Sequence, residues 1–428
     1  MLSPADVPVV ARDPQLVGLG LLLDRSALQD ELRAILPGAG IVAATSTYLR
    51  YKPGTSCLAG YRLSTKFGPV HCSLKAVKES RFESFKERRT DGVESVLGPA
   101  VVLLPQHHAA VRLFPYDRTL RVLRKLASDP ERARLLRRMS GGTARFTHAA
   151  FEVQSYKPER RCVGRLVDQD LTRALLRIYD DKGFETALCG ATFAARQGLG
   201  DLHGFDADRR IIVGGWIEGQ PLDQALAKGA APAPLLAKAG SALADLHRRR
   251  PEGLPVRGCR IEVRTLHRVA RSVAEILPDE AGRLRRLTAA LGKALRRAPA
   301  PLGPIHGDAS ADQMIVGHDG RGVLLIDWDR AGVGDPAADL GRFLACQDVA
   351  GMLGEIPAGS CKAQAFLAGY KERAGRLPTR VHLHHALALL QLLPDMFRTR
   401  RDDWPARMAQ VLDRAEAVWA TPACLAAA

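Results

Sequence analysis

The stretch IHGDASADQMIVGHDGRGVLLIDWDRAGVGDPAADL, residues 305–340, contains two short apolar runs separated by turn-forming residues. The first run is Met314-Ile315-Val316, and the second extends from Val323 to Ile326. Between the runs lies an Asp-Gly pair, Asp319-Gly320. Apolar runs on either side of such a pair are typical of a β-hairpin.

Three polar side chains are predicted to meet at the open end of this hairpin. Asp308 follows a His-Gly pair, Gln313 comes five residues later, and Asp327 ends the second apolar run. If the hairpin closes at the Asp-Gly pair, Gln313 lies opposite Ile326 or Asp327. Two carboxylates and one amide then converge, and such oxygen ligands suit Mg²⁺. A base Asp, an amide and a second Asp at these spacings also match the arrangement used for phosphoryl transfer. A lone His-Gly-Asp is common on surfaces, so the prediction depends on the combined pattern.

The segments HGDASADQ and LIDWDRAGVGDPAADLG resemble the catalytic segment of the aminoglycoside phosphotransferase-like kinases, which include choline, homoserine and sugar kinases. The family's usual Asn is replaced here by Gln313, which keeps the amide oxygen but adds one methylene. The resemblance implies catalytic roles for Asp308 and His306, Mg²⁺ ligation by Asp327 and Gln313, and structural support from Asp329 and Asp339. In this interpretation Asp339 is a buried hydrogen-bond acceptor that braces the catalytic loop, together with His306.

A short pattern occurs twice in the first half of the chain. Tyr51-Lys52-Pro53 with Cys57 returns as Tyr156-Lys157-Pro158 with Cys162. Both fragments are typical of a turn followed by a strand. A further strand is predicted after each fragment, over 71–77 and 173–179, and then a Phe-Glu pair enters a helix. The matching order of elements indicates a duplicated strand–strand–helix unit.

A kinase N-lobe presents a strand cation to the phosphates and pairs it with a helix glutamate. By resemblance, the second copy supplies these groups as Arg177 and Glu185. Arginine replaces the family's lysine, and Glu185 follows it at an unusually short spacing. The alternative for both residues is an ordinary exposed charge. In the first copy, the residue that aligns with Arg177 is Lys75. We interpret this first copy as an appended, non-catalytic sheet.

The segment Ile211–Gly219 resembles the family's hinge, where backbone groups meet the adenine. Trp216 and Glu218 are therefore nucleotide-site candidates. After the hinge the chain is predicted to be mostly helical. Residues 263–297 indicate two basic amphipathic helices broken near Pro278, and family resemblance implies an acceptor site nearby.

The chain of 428 residues carries a net charge of +16, which favours anionic partners. Its arginines are scattered along helices without interleaved aromatic residues, which argues against nucleic-acid binding. The eight cysteines form no Cys-x-x-Cys pair, and no run approaches the roughly 20 apolar residues of a membrane span. With no basic leader at the N-terminus, we expect a cytoplasmic protein without a membrane segment. The sequence does not indicate an oligomeric state.

Together these features predict an α+β, two-lobed protein-kinase-like fold with a duplicated N-lobe-like sheet unit. The predicted divisions are an N-terminal region at 1–145, a kinase N-lobe at 146–219 and a helical C-lobe at 220–428. The expected activity moves the γ-phosphate of ATP to a small-molecule hydroxyl, with Mg²⁺ as cofactor. An aminoglycoside, a sugar and an amino alcohol all remain open as acceptors. The alternative is an inactive kinase-like module that binds nucleotide or acts as a scaffold.

Overall fold

The computed structural model describes residues 1–86, 94–139, 146–168, 173–228, 233–297, 301–317, 322–357 and 363–421. The chain divides into two compact units. Unit 1 comprises Met1–Phe184, His203–Trp216 and Arg398–Asp403. Unit 2 comprises Glu185–Leu202, Ile217–Phe397 and Trp404–Ala428. The division into three segments at 145 and 219 stays a prediction.

Unit 1 contains short helices, two five-stranded sheets and a separate pair of two-residue strands. Its helices are α1 (Val7–Ala11), α2 (Leu19–Leu23), α3 (Arg25–Ile35), α4 (Glu79–Lys86), α5 (Leu123–Ala127) and α6 (Asp129–Met139). The strands up to the end of the first sheet are β1 (Ala43–Lys52), β2 (Ser56–Thr65), β3 (Gly68–Val77), β4 (Glu94–Ser95), β5 (Gly98–Pro99), β6 (Val101–Leu104) and β7 (Ala109–Leu113). The second sheet contains β8 (Ala150–Lys157), β9 (Arg161–Val167), β10 (Arg173–Tyr179), β11 (Leu202–Asp206) and β12 (Ile211–Gly215).

The two sheets have the same topology, which confirms the duplication predicted from the sequence. The strand orders are β1-β2-β3-β7-β6 and β8-β9-β10-β12-β11. The registers also agree, because Lys75 pairs with Leu58 and Arg177 pairs with Val163, in each case one residue after the shared cysteine. Burial raises the pKa of the thiols of Cys57 and Cys162 to about 12, as expected for cysteines that pack as small hydrophobic residues.

A buried aspartate stabilises the Tyr-Lys-Pro turn in both copies. In the first, Asp13 accepts hydrogen bonds from the Tyr51 hydroxyl at 2.9 Å and the Gly54 backbone N–H at 2.8 Å. In the second, Asp117 accepts them from the Tyr156 hydroxyl at 2.7 Å and the Glu159 N–H at 2.8 Å. The last turn residue has a positive φ in both copies, +62° at Gly54 and +57° at Glu159.

Unit 2 is mainly helical. It contains α7 (Phe184–Arg196, which begins at the last residue of unit 1), α8 (Leu222–Ala227), α9 (Ala233–His247), α10 (Cys259–Ile276), α11 (Ala281–Arg297), α12 (Ala337–Met352), α13 (Ala363–Ala374), α14 (Val381–Arg398) and α15 (Trp404–Ala420). Its short strands are β13 (Gln220–Pro221), β14 (Gly303–Ile305), β15 (Met314–Val316), β16 (Val323–Leu325) and β17 (Gly332–Gly334). The predicted pair of basic helices is present as α10 and α11, separated by a 3₁₀ turn at Pro278–Glu280.

The core of unit 2 anchors the catalytic-loop segment. Ala309, Ala311 and Met314 are buried in the same apolar cluster as Leu243, on α9, and Phe343, on α12. These apolar residues hold the loop in the core, while Asp312 between them is exposed. Among the described residues, none of the helices combines the length and apolar character that a bilayer span requires.

Candidate active site

The loop after β14 is held by one buried carboxylate. Asp339, on the first turn of α12, is fully buried and accepts hydrogen bonds from the backbone N–H groups of His306 at 2.6 Å and Gly307 at 2.8 Å. Its Oδ2 also lies 3.0 Å from Nε2 of His247, whose Nδ1 lies 2.9 Å from the Tyr370 hydroxyl. Burial by itself raises the pKa of the Asp339 carboxyl, but the interactions with His247 and His306 outweigh it, so the pKa is lowered.

Gly307 allows the chain to turn next to Asp308. Its φ of +77° lies in the region that favours glycine. A Cβ on this residue would lie 2.1 Å from the carbonyl oxygen of Arg330. Glycine is therefore needed at position 307 for two reasons: the backbone conformation there and the close approach of the loop that contains Arg330.

Asp308 is one-third exposed and faces two arginines. Its Oδ1 lies 3.1 Å from Nη2 of Arg342, on α12, and 3.4 Å from Nη1 of Arg330. Arg342 is largely buried, whereas Arg330 is exposed. No described residue pairs with the second oxygen, Oδ2, so Asp308 is positioned through one oxygen only.

The predicted hairpin is formed by β15 and β16. Met314 pairs with Leu325, and the N–H of Ile326 donates to the carbonyl of Gln313 at 3.0 Å. Gln313 therefore lies opposite Ile326, directly before Asp327, which is one of the two predicted registers. The turn at Asp319-Gly320 lies outside the described residues.

Trp328 connects α7 to the catalytic loop. Its ring lies 6.1 Å from that of Phe193, on α7, and 5.0 Å from that of His306. His306 is fully buried, and its Nε2 donates to the carbonyl oxygen of Ile326 at 2.7 Å, which assigns the ring proton to Nε2. Its Nδ1 is buried without a hydrogen-bond partner among the described residues.

The carboxylate and amide oxygens expected at the open end of the hairpin are of the kind that Mg²⁺ takes as ligands. Asp327 adopts a left-handed conformation with φ of +61°, at the point where the chain leaves β16. The amide nitrogen of Gln313 donates to Asp312 at 2.5 Å, which leaves its amide oxygen for a cation. No group of three His, Cys, Asp or Glu side chains suited to a metal occurs in the described part of the chain. Mg²⁺ needs only one or two protein carboxylates when phosphates and waters complete its shell.

The four nucleotide-site candidates are divided between the two units. In unit 1, Arg177 is buried within the second sheet, and the Trp216 ring lies 5.5 Å from the Arg165 guanidinium. Glu185 is in the first turn of α7, and Glu218 precedes β13, both in unit 2. Asp329 lies in the 3₁₀ turn after Asp327. The roles of these residues stay predictions.

A cavity of about 300 Å³ lies beside Asp308. Gly307 and both arginines that contact Asp308 line it, and α10, α12 and α14 contribute its remaining walls. The sequence interpretation placed an acceptor site near the segment that contains α10. The cavity lies beside this segment and next to Asp308, the carboxylate expected to act as base.

Three residues around the loop were missed by the sequence interpretation. The sequence analysis assigned no role to His247, which contacts Asp339 from the end of α9. Arg342 follows Asp339 by three residues, which places it on the adjacent face of α12 and is the one available sequence signal. Arg257 lines the cavity from a loop far away in sequence, so no local pattern pointed to it.

The combination of a braced His-Gly-Asp loop, a hairpin and a following Asp defines a protein-kinase-like catalytic unit. Residues 173–384 match the model of the phosphotransferase enzyme family. The resemblance stated from the catalytic segment is thereby confirmed. The matched segment begins at β10, in the second of the two sheets, and leaves the first sheet outside. No curated protein matched the chain.

Several solved structures are similar to this chain. A choline/ethanolamine kinase family protein from Mesorhizobium loti is 21% identical, with 69% of this chain and 96% of that chain covered and a TM-score of 0.50. An ethanolamine kinase from Plasmodium vivax is 13% identical, with 62% and 82% covered and a TM-score of 0.47. An aminoglycoside phosphotransferase from Streptomyces rimosus is 20% identical, with 60% and 96% covered and a TM-score of 0.44. At such identities the likeness concerns the fold and leaves the substrate open.

Proposed function

We propose that this protein is a small-molecule kinase that transfers the γ-phosphate of ATP to a hydroxyl group. The observation that carries the proposal is the position of Asp308. Its loop is fixed by Asp339, its Oδ1 is fixed by Arg342, and its Oδ2 is left for an acceptor hydroxyl. The match of residues 173–384 to a phosphotransferase family supports the same reaction class.

In the proposed reaction, Asp308 accepts the proton of the acceptor hydroxyl as its oxygen attacks the γ-phosphorus. The new O–P bond forms while the bond from the γ-phosphorus to the bridging oxygen breaks, and ADP leaves with that electron pair. Asp327 and Gln313 would hold Mg²⁺, which when bound neutralises charge on the phosphates. His306 is buried away from solvent, so we assign it a positioning role for the loop.

The test is calorimetric titration of Mg²⁺·ATP and Mg²⁺·GTP into wild type, Asp327→Ala and Asp279→Ala. Asp279 is an exposed carboxylate on the turn before α11 and serves as the control. We expect nucleotide binding that requires Mg²⁺, is lost in Asp327→Ala and is unchanged in Asp279→Ala. Binding that does not need Mg²⁺ would favour the inactive nucleotide-binding alternative, and no binding at all would favour a scaffold.

The kinetic part of the test uses Asp308→Ala. It should retain Mg²⁺·ATP binding but lose at least ~10²-fold in turnover, because positioned general-base catalysis contributes about that much. Wild-type turnover from this variant would contradict the assignment of Asp308.

A further inference from the structure

The cavity beside Asp308 is lined by four arginines. Arg257 lies in the loop before α10, Arg268 on α10, Arg330 in the loop after β16 and Arg342 on α12. Among the described residues, the acidic side chains that line the cavity are Glu262 and Asp339, and Asp308 beside it pairs with two of the arginines, so four arginines stand against three carboxylates. The hydrogen-bonding capacity of Asp339 is already taken by backbone N–H groups and His247. The cavity therefore has an excess of positive charge.

Arg257 is held firmly in place by backbone pairing. Its N–H donates to the carbonyl of Val333 at 2.8 Å, and the N–H of Val333 donates to the carbonyl of Pro255 at 2.9 Å. This pairing fixes the loop before α10 against β17. The side chain lies across Gly332, where a Cβ would come within 2.7 Å of its Cδ and Nε. Any other residue at position 332 would displace this arginine.

The guanidinium of Arg257 has no counter-ion in direct contact. Its Nε is buried without a hydrogen-bond partner, and no ion pair with Arg257 occurs among the described residues. Burial lowers the pKa of Arg257, and so does the nearby charge of Arg330, while the charges of Asp339 and Asp308 oppose this shift only in part. A buried donor without a partner is costly, and an anion placed in the cavity would satisfy it.

The four arginines of the cavity fall into two groups according to their partners. Arg330 and Arg342 are engaged with Asp308 at 3.4 Å and 3.1 Å, so they belong to the end where the hydroxyl would react. Arg257 and Arg268 make no ion pair within the described chain. Thr265 lies one turn before Arg268 on α10 and also lines the cavity. These groups are the cations and the hydroxyl of the cavity that are not engaged with Asp308.

Resting on the kinase function proposed above, we infer that the acceptor is a hydroxylated small molecule that carries a carboxylate or phosphate, bound by Arg257. Arg257 would pair with the anionic group while the hydroxyl faces Oδ2 of Asp308. Glu262 adds an acceptor for further hydroxyls; burial raises the pKa of its carboxyl. A cationic acceptor such as an amino sugar or an amino alcohol would meet Arg257 and Arg268, which have no anionic partner among the described residues, and be repelled.

The experiment measures ADP release with Mg²⁺·ATP for two sets of compounds that differ in charge but share a skeleton. One set is gluconate, glucose 6-phosphate, glucose and glucosamine. The other is glycerate, glycerol 3-phosphate, glycerol and 3-amino-1,2-propanediol. We expect kcat/KM for an anionic member to exceed that of its cationic counterpart by at least about tenfold, the lower range for one charge-assisted hydrogen bond. The carboxylate and phosphate members separate the two sources of charge.

The matched variants are Arg257→Gln and Arg260→Gln. Arg260 is exposed on α10 and does not line the cavity, so its replacement should leave the kinetics unchanged. Arg257→Gln should raise KM for the anionic acceptor roughly tenfold or more, with a much smaller change in kcat, because the contact would be made with the anionic group and not with the reacting oxygen. Equal use of cationic or neutral members, or an unchanged KM in Arg257→Gln, would overturn the inference.

A binding measurement covers the case in which none of these compounds is phosphorylated. Inorganic phosphate, gluconate and glycerol 3-phosphate are titrated into wild type and Arg257→Gln without nucleotide. Binding that is lost in the variant supports the anion site, whereas no binding of any of the three to wild type refutes it. Mg²⁺·ATP titration of the same samples reports on the kinase function separately, so the two proposals fail independently.

Discussion

At the residue scale, Asp339 is a buried carboxylate that holds the loop before Asp308 in place. It is fully buried, and it joins the catalytic loop to α9 through His247 and to the backbone through two N–H groups. A buried carboxylate with three such partners is stabilised as an anion. Replacing it would leave two buried backbone donors without a full partner, directly beside Asp308.

The variant Asp339→Asn tests this arrangement through the pH dependence of its free energy of unfolding. Because the folded-state pKa is lowered, the stabilisation is fully present above the ordinary value of 3.8 and is lost as the pH falls through the folded value. At pH 7 we expect a decrease of roughly 3 kcal/mol in the free energy of unfolding, typical of breaking a buried charged network. Denaturant unfolding followed by tryptophan fluorescence from pH 7 to pH 3 measures it.

The control is Asp245→Asn, whose carboxylate pairs with Arg373 on the surface of α9. An exposed pair of this kind contributes about 0–1 kcal/mol. The difference between wild type and Asp339→Asn should narrow below pH 3.8, while the control stays near zero throughout. A difference that is independent of pH would show that the carboxylate charge is not what holds the loop.

At the element scale, α7 positions the turn that follows Asp327. Gly190, in the middle of α7, faces the backbone of Trp328, and a Cβ there would lie 1.9 Å from the Trp328 carbonyl oxygen. The helix can approach the turn this closely only because position 190 is glycine. Trp328 in turn contacts His306, so the packing of α7 reaches the catalytic loop.

We expect Gly190→Ala to lower the melting temperature and the kinase turnover together. Forcing extra atoms into a packed contact costs roughly 1–3 kcal/mol, and here the atom that must move is backbone. Gly351→Ala on α12 is the control, because nothing lies within 4 Å of its added Cβ. That change should be neutral or stabilising by about 0.5–1 kcal/mol. Equal melting temperatures for both variants would contradict the close contact.

At the scale of the whole molecule, the duplicated sheets of unit 1 are joined by a cluster of charges. Glu159, in the turn of the second copy, pairs with Lys75 at 2.5 Å and with Arg50 at 3.4 Å, both from the first copy. Lys75 has the residue type expected of a phosphate-binding lysine, but it is largely buried in this contact. Burial lowers its pKa, and Glu159 partly offsets that effect. We interpret Lys75 as a structural residue.

Glu159→Gln should weaken the contact between the sheets. It leaves Lys75 partly buried without its anion, and we expect a loss of roughly 1–3 kcal/mol in the free energy of unfolding. Glu152→Gln removes an exposed pair with Arg165 on the second sheet and should cost less than about 1 kcal/mol. Denaturant unfolding of both variants makes the comparison, and equal stabilities would show that the cluster does not join the sheets.

Much of the fold could be predicted because it depends on local patterns. The two Tyr-Lys-Pro repeats indicated two matching sheets, and the apolar runs around residues 314–326 indicated the hairpin, with its register narrowed to two possibilities. Side-chain periodicity and turn chemistry act over a few residues, so they can be recognised in the sequence. The buried aspartates of the repeats were not predicted, because Asp13 precedes its tyrosine by many residues.

The sequence by itself determined the family resemblance, the order of the catalytic groups from Asp308 to Asp327, and the duplication. These depend on residue type and spacing along one continuous segment. Only the tertiary structure placed His247, Arg257 and Arg342 around the catalytic loop, because they come from separate elements brought together by core packing. The charge of the acceptor cavity is a property of that assembly, since no single segment of the chain contains its four arginines.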